Sequence, residues 1–290
     1  MILDVPDAPG YSFFGVFDGH GGSFVSEFAA RKLLETITST EEWRSGDRSD
    51  ASIKEALRKG FLILDLELLK QDEIVLRDDH SGSTGVTAMV TPEKIFVANC
   101  GDSRSILVTG NRAKAMSEDH KPYNPEEKAR IEAAGGVVAM NRVNGDLAVS
   151  RALGDFVYKK TITLPQEKQQ VSVEPDISIH LRDKGADQYL VLACDGVWDV
   201  ISNEECADFC LKKAEEGCTL MKDMAGDLID WCLEKQSRDN MSAIVVALDN
   251  APSLKTGRSV AEAYSSARIE RKTKKEDANK GGGADADEVS

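Results

Sequence analysis

Apolar residues recur at helical spacing twice near the start of the chain and at strand spacing through most of the rest. Phe24, Val25, Phe28, Ala29, Leu33 and Ile37 share one face of a helix that Ser23 can cap, and Ile53, Leu57, Phe61, Leu64 and Leu68 share a face of a second. Ahead of the first helix, residues 13–17 form a short apolar run that predicts a buried strand. From Ser81 the period changes to two, and residues 85–90, 94–99 and 105–108 predict successive strands joined by short turns such as Gly110-Asn111.

Asn124-Pro125-Glu126-Glu127 supplies a capping residue, a proline for the first turn and early acids, which predicts a helix reaching Gly135-Gly136. Asn144-Gly145 is a dipeptide suited to a tight hairpin. Residues 156–170 keep neither period and predict a surface flap. Strands follow at 177–181, 189–194 and 242–248, with helices at 202 onward (Ser202-Asn203-Glu204-Glu205 has the form of a capping box) and 220–235. Short strands in antiparallel succession with few helices predict an α+β fold of antiparallel sheets covered by helices, not a doubly wound parallel sheet.

From Asn250 the composition turns to Ser, Lys, Glu and Gly, so residues 1–249 are expected to form one domain and 250–290 a mobile tail, with a transient helix near 261–272. The 290 residues carry 36 basic and 50 acidic side chains, a net charge of −14. An acidic body without a basic stripe argues against nucleic acid and suits the attraction of divalent cations. The six cysteines (Cys100, Cys194, Cys206, Cys210, Cys218, Cys232) form no Cys-x-x-Cys pair and read as reduced core residues. No apolar run approaches a membrane span and the first residues do not read as a signal peptide, so the expectation is a soluble monomer in the cytoplasm or nucleus, without membrane partners.

Three carboxylates stand at the ends of expected strands: Asp18 in Phe17-Asp18-Gly19-His20-Gly21-Gly22, Asp195 in Ala193-Cys194-Asp195-Gly196, and Asp239 in Ser237-Arg238-Asp239-Asn240-Met241. Each taken singly reads as well as a turn residue. Gathered at one end of a sheet, however, they repel unless a cation neutralises them, and hard oxygen ligands favour Mg²⁺ or Mn²⁺ over zinc.

Six segments in order then carry a resemblance. Val16-Phe17-Asp18-Gly19-His20-Gly21-Gly22, Asn99-Cys100-Gly101-Asp102-Ser103-Arg104, Asp119-His120-Lys121-Pro122, Leu147 through Asp155 (LAVSRALGD), Cys194-Asp195-Gly196-Val197-Trp198-Asp199 and Ser237-Arg238-Asp239-Asn240-Met241-Ser242 together resemble the metal-dependent serine/threonine protein phosphatases of type 2C. The resemblance implies two antiparallel sheets packed as a central sandwich with helices on both outer faces, and a Mn²⁺/Mg²⁺ centre at one end. It implies that Asp18 bridges two metals, that the Gly19 carbonyl binds one, that Asp195 and Asp239 complete a site, that Asp119 holds a weaker third metal with Asp199 close by, and that His20 is the general acid. The implied reaction is hydrolysis of phosphoserine and phosphothreonine in phosphoprotein substrates, a metal-bridging hydroxide attacking phosphorus in line. Asp102, Arg104, Arg151 and Asp155 read as structural ion pairs.

The family pattern opens with an Arg followed by Met-Glu-Asp one strand before the Asp-Gly-His loop, whereas this sequence starts at Met1-Ile2-Leu3-Asp4-Val5, downstream of that segment. The expectation is a weakened phosphate grip and second metal site, with a non-catalytic, phosphatase-like binding module as the alternative to the enzyme.

Overall fold

The computed structural model describes residues 1–2 and 4–252, together with the backbone of residues 264–269. In chain order its main elements are β1 (Ser12–Val16), α1 (Phe24–Ser39), α2 (Asp50–Leu68), β2 (Gly85–Val90), β3 (Lys94–Cys100), β4 (Arg104–Thr109), β5 (Arg112–Ala115) and α3 (Pro125–Ala133). After a long irregular stretch come β6 (Asp176–Leu181), β7 (Asp187–Ala193), α4 (Asn203–Glu215), α5 (Met221–Glu234), β8 (Met241–Ala247) and β9 (Tyr264–Ile269). One sheet has the order β1-β2-β3-β6 and the other β9-β8-β7-β4-β5, with every neighbouring pair antiparallel.

Alternation along the strands builds the layers. Phe14, Val16, Val86, Ala88, Ile95 and Val97 of the first sheet meet Leu107, Leu190, Leu192, Ile244 and Val246 of the second in one buried cluster between the sheets. The intervening residues of the first sheet, Phe13, Met89, Phe96 and Ala98, face outward under α1 and α2, and Ile106, Tyr189, Val191 and Val245 of the second face α4 and α5. Strands whose two faces are both covered carry apolar residues at every position, which explains the nearly continuous apolar runs of β2, β3 and β7. The result is the expected four-layer α+β sandwich.

The capping box at α4 is present, Ser202 and Glu205 satisfying each other's backbone N–H groups. The expected hairpin is displaced. Val138–Ala139 pairs with Arg142–Val143, so the tight turn falls on Met140 and Asn141, both at positive φ, while Asn144-Gly145 makes the next turn back to Leu147. Asn144 Oδ1 accepts from the Val137 N–H at 3.1 Å, a local bond that draws the asparagine to the base of the hairpin. The 156–170 flap has only the short 3-10 turns Phe156–Tyr158 and Gln166–Lys168.

The C-terminal expectation changes at one place. Where a transient helix was expected near 261–272, Tyr264–Ile269 is a strand paired with all but the last residue of β8, supplying the hydrogen-bond partners that an open edge of β8 would lack. The sheet therefore extends past the expected boundary at 249. The remainder of the expected tail, residues 253–263 and 270–290, lies outside the described residues.

Candidate metal centre and active site

β1 and β7 end, and β8 begins, at the same edge of the sandwich, and each delivers one carboxylate there: Asp18 two residues after β1, Asp195 two after β7, Asp239 two before β8. The loops are locked to one another. The Cys194 N–H donates to the Ser242 carbonyl at 3.1 Å, and the Ser237 hydroxyl donates to the Gly196 carbonyl at 2.7 Å. Gly196 lies so close to the Asn240 carbonyl that any Cβ would overlap it. Glycine is therefore required for the Asp195 and Asp239 loops to approach.

Ligand atoms of Asp18, Cys194 and Asp195 all lie within 4.8 Å of one another. Burial pushes the Cys194 thiol up to about 12, and it accepts from the Ser242 N–H at 3.2 Å and donates to the Asn240 carbonyl at 3.5 Å. That thiol is held as a protonated packing group, leaving an all-oxygen donor set. Burial, followed by the charges of Asp102, Asp18, Asp199 and Asp239, raises Asp195 to about 8. Burial chiefly, with Asp239 and Asp102 adding to it against a bond from Asp195, raises Asp18 to about 6. Asp195 Oδ1 is buried and has no hydrogen-bond partner among the described residues. A buried, unpartnered carboxylate oxygen facing other acids fits a divalent oxygen-liganded cation, which would supply the missing countercharge.

These acids line a groove of about 240 Å³ together with Gly19, His20, Thr84, Asp102 and Arg142. Asp119, expected to hold a third metal, does not line it. Both its carboxylate oxygens accept from Arg104, at 2.8 and 2.7 Å, a bidentate pair that leaves it little capacity for a cation. Asp102, read from sequence as part of a structural ion pair, lines the groove and also accepts from Lys121 at 2.5 Å. Asp199 stands in the same field, raised by burial first and by Asp102 and Asp239 against the pull of Lys121. Arg142 was not singled out by any motif. It arrives on the displaced hairpin, and its one sequence signal is a basic residue beside a turn of positive-φ formers.

His20 belongs to a small three-stranded sheet in which Gly19–His20 pairs with Gly82–Ser83, which pairs in turn with Leu153–Gly154. Its Nε2 meets Asp155 Oδ2 at 2.7 Å. Burial lowers the imidazole, but the hydrogen bond and charge of Asp155, with Asp18 and Asp102 behind them, more than offset this, so its pKa is raised overall.

The family model for protein phosphatase 2C matches residues 7–241. Protein phosphatase 1A of Homo sapiens is 41% identical over 272 residues, covering 92% of this chain and 71% of the relative. Protein phosphatase 1B of Mus musculus is 43% identical over 249 residues, 83% of this chain and 63% of the relative. Among solved structures, the serine-threonine phosphatase 2C of Toxoplasma gondii superposes with a TM-score of 0.71 at 28% identity, over 84% of this chain and 87% of that one. An antiparallel sandwich with carboxylates at one edge, matched over most of its length by these relatives, defines a metal-dependent phosphatase. The chain belongs to the protein phosphatase 2C family, and the matches favour the enzyme over the binding module.

Proposed function

We propose that this chain, a metal-dependent protein serine/threonine phosphatase by family, hydrolyses phosphoserine and phosphothreonine in the groove between Asp18, Asp195 and Asp239. The observation that carries the reading is the set of converging carboxylates with too little positive charge to balance them, the buried Asp195 Oδ1 having no hydrogen-bond partner among the described residues. Asp18, Asp195, Asp239 and the Gly19 carbonyl would hold two ions of the Mn²⁺ or Mg²⁺ type, and Asp102 with Asp199 would serve a weaker third. Such ions supply charge to phosphoryl oxygens and make water acidic enough to attack near neutral pH.

The chain's own groups do the rest. His20, held charged by Asp155, gives a proton to the serine or threonine oxygen as the P–O bond breaks, because an alkoxide is a poor leaving group. Arg142, exposed at the rim, offers a guanidinium to an incoming phosphate. No side chain needs to be phosphorylated on this route. The natural partners on this reading are phosphoproteins, met by a monomer in the cytoplasm or nucleus, with neither nucleic acid nor membrane; the net charge of −14 is unfavourable for phosphate backbones. The test is turnover of a phosphothreonine peptide by the full chain with Mn²⁺ or Mg²⁺, expected to stop on addition of EDTA. Turnover undiminished in EDTA would overturn the proposal.

A further inference from the structure

The Asp155 carboxylate is built into the fold with unusual care for a loop residue. Asp155 itself has positive φ, 51°, a conformation that costs a non-glycine residue about 1 kcal/mol or more and persists only when its surroundings enforce it. The enforcement is visible. The preceding Gly154 donates its N–H to Asp65 Oδ1 at 2.8 Å, and Asp65, buried on α2, is clamped by Lys159, whose ammonium reaches both its oxygens at 3.0 and 2.9 Å and the Ala152 carbonyl at 2.8 Å. The Asp155 N–H donates to the Ser81 carbonyl at 3.2 Å, and its own carbonyl accepts from the Tyr158 N–H at 2.9 Å.

Between His20 and Asp155 lies Gly82, register partner of His20 on one side and of Gly154 on the other. A Cβ on Gly82 would overlap both the Asp155 carboxylate and the His20 imidazole. The missing side chain is the passage through which ring and carboxylate meet. Among the described residues, His20 is the side chain that bonds the Asp155 carboxylate, which is itself nearly inaccessible to solvent.

We propose that Asp155 is a positioning residue for the phosphatase reaction: through Nε2 it fixes the plane of the His20 ring so that Nδ1 is the atom presented to the leaving oxygen, with the Lys159–Asp65 pair and the bare backbone of Gly82 holding Asp155 in place. The inference rests on the reading of His20 as the acid. In the step it serves, the Nδ1–H bond breaks and the P–O bond breaks with its electron pair on oxygen. The proton joins that oxygen, Nε2–H stays on Asp155, and solvent later reprotonates Nδ1. Asp155 remains a carboxylate throughout and touches neither substrate nor metal.

The test compares Asp155→Ala, Asp155→Asn and His20→Gln in the full chain on two substrates, a phosphothreonine peptide and p-nitrophenyl phosphate, whose phenolate leaves without a proton. Asp155→Ala is expected to lower kcat on the peptide by about 10²-fold with KM little changed, and to leave the aryl ester within about threefold. Asp155→Asn, which keeps an acceptor oxygen, is expected to fall between, and it carries the comparison if the alanine variant fails to melt cooperatively. A second readout needs no metal: the His20 Nε2–H resonance in one-bond ¹H–¹⁵N spectra of the metal-free protein, identified by its loss in His20→Gln, should persist in Asp155→Asn and vanish in Asp155→Ala. Selective loss on the peptide in His20→Gln but equal loss on both substrates in the Asp155 variants, or a ring resonance indifferent to Asp155, overturns the positioning role while leaving the acid intact. Equal loss on both substrates in His20→Gln overturns the acid reading itself.

Discussion

Two clusters of carboxylates in this molecule are treated in opposite ways. Glu127 of α3 accepts from Arg151 through Oε1 at 3.0 and 2.7 Å, accepts from the Ser150 hydroxyl through Oε2 at 2.5 Å, and is paired with Arg130 at 2.8 Å. Burial raises it, yet Arg151, Arg130 and Ser150 outweigh burial and hold it below its ordinary value. Asp18 and Asp195, half-buried where Glu127 is fully buried, face Asp102, Asp199 and Asp239 instead, and are pushed up. The first cluster is finished by the protein alone and serves the fold. The second is left incomplete, which destabilises the metal-free protein and makes a cation the natural completion.

Neutralising one member should break the comparison in opposite directions. Asp195→Asn is expected to lower Mn²⁺-dependent turnover of a phosphopeptide by about 10³-fold or more, since it removes a charge that holds the ions. It should nevertheless raise the melting temperature of the EDTA-treated protein at pH 8, as calorimetry would read. Glu127→Gln should do the reverse for stability. It leaves two arginines facing a neutral group and is expected to cost about 3–5 kcal/mol in urea unfolding. A Glu127→Gln protein as stable as its parent would mean that the two clusters do not differ as described.

A smaller effect sharpens the contrast through pH. Asp18 and Asp195 take up protons more readily folded than unfolded, so between about pH 4 and pH 8 the folded metal-free protein holds the extra protons, and its stability is lost as pH rises through the folded values of about 6 and 8. The total is on the order of a few kcal/mol. Glu127, depressed in the fold, contributes stability above its unfolded value and loses it as pH falls through its folded one. The unfolding free energy of the metal-free chain, measured from pH 4 to 9, should therefore decline toward the alkaline side, and saturating Mn²⁺ should flatten that decline. A metal-free protein that gains stability from pH 5 to 8 would contradict the upward shifts of Asp18 and Asp195.

Much of this was legible in the sequence because it is local. Helical spacing located α1 and α2, Ser202 and Glu205 marked the start of α4, and strand-terminal acids beside small residues identified Asp18, Asp195 and Asp239. What escaped depends on how distant loops face each other. Asp102 follows the apolar β3 and Asp119 the short polar β5, both in polar loops, and nothing in their neighbourhoods says which one turns toward Arg104. Arg142 reaches the groove through a hairpin whose turn falls four residues earlier than Asn144-Gly145 suggests. The pairing of β9 with β8 was equally hidden, since the run from Tyr264 to Ile269 has too little apolar alternation to mark it as a strand.

The crossing at Gly82 offers a way to interpret other sequences of this kind. A chain that retains the aspartates matching Asp18, Asp195 and Asp239 but has any larger residue at the position matching Gly82 could not bring its histidine and loop carboxylate together, since there is no space for a side chain between them. Such a chain would pass an inspection of its acids and still be slow on alkyl phosphates while handling aryl esters, and that single position would separate it from full phosphatases before any protein was made.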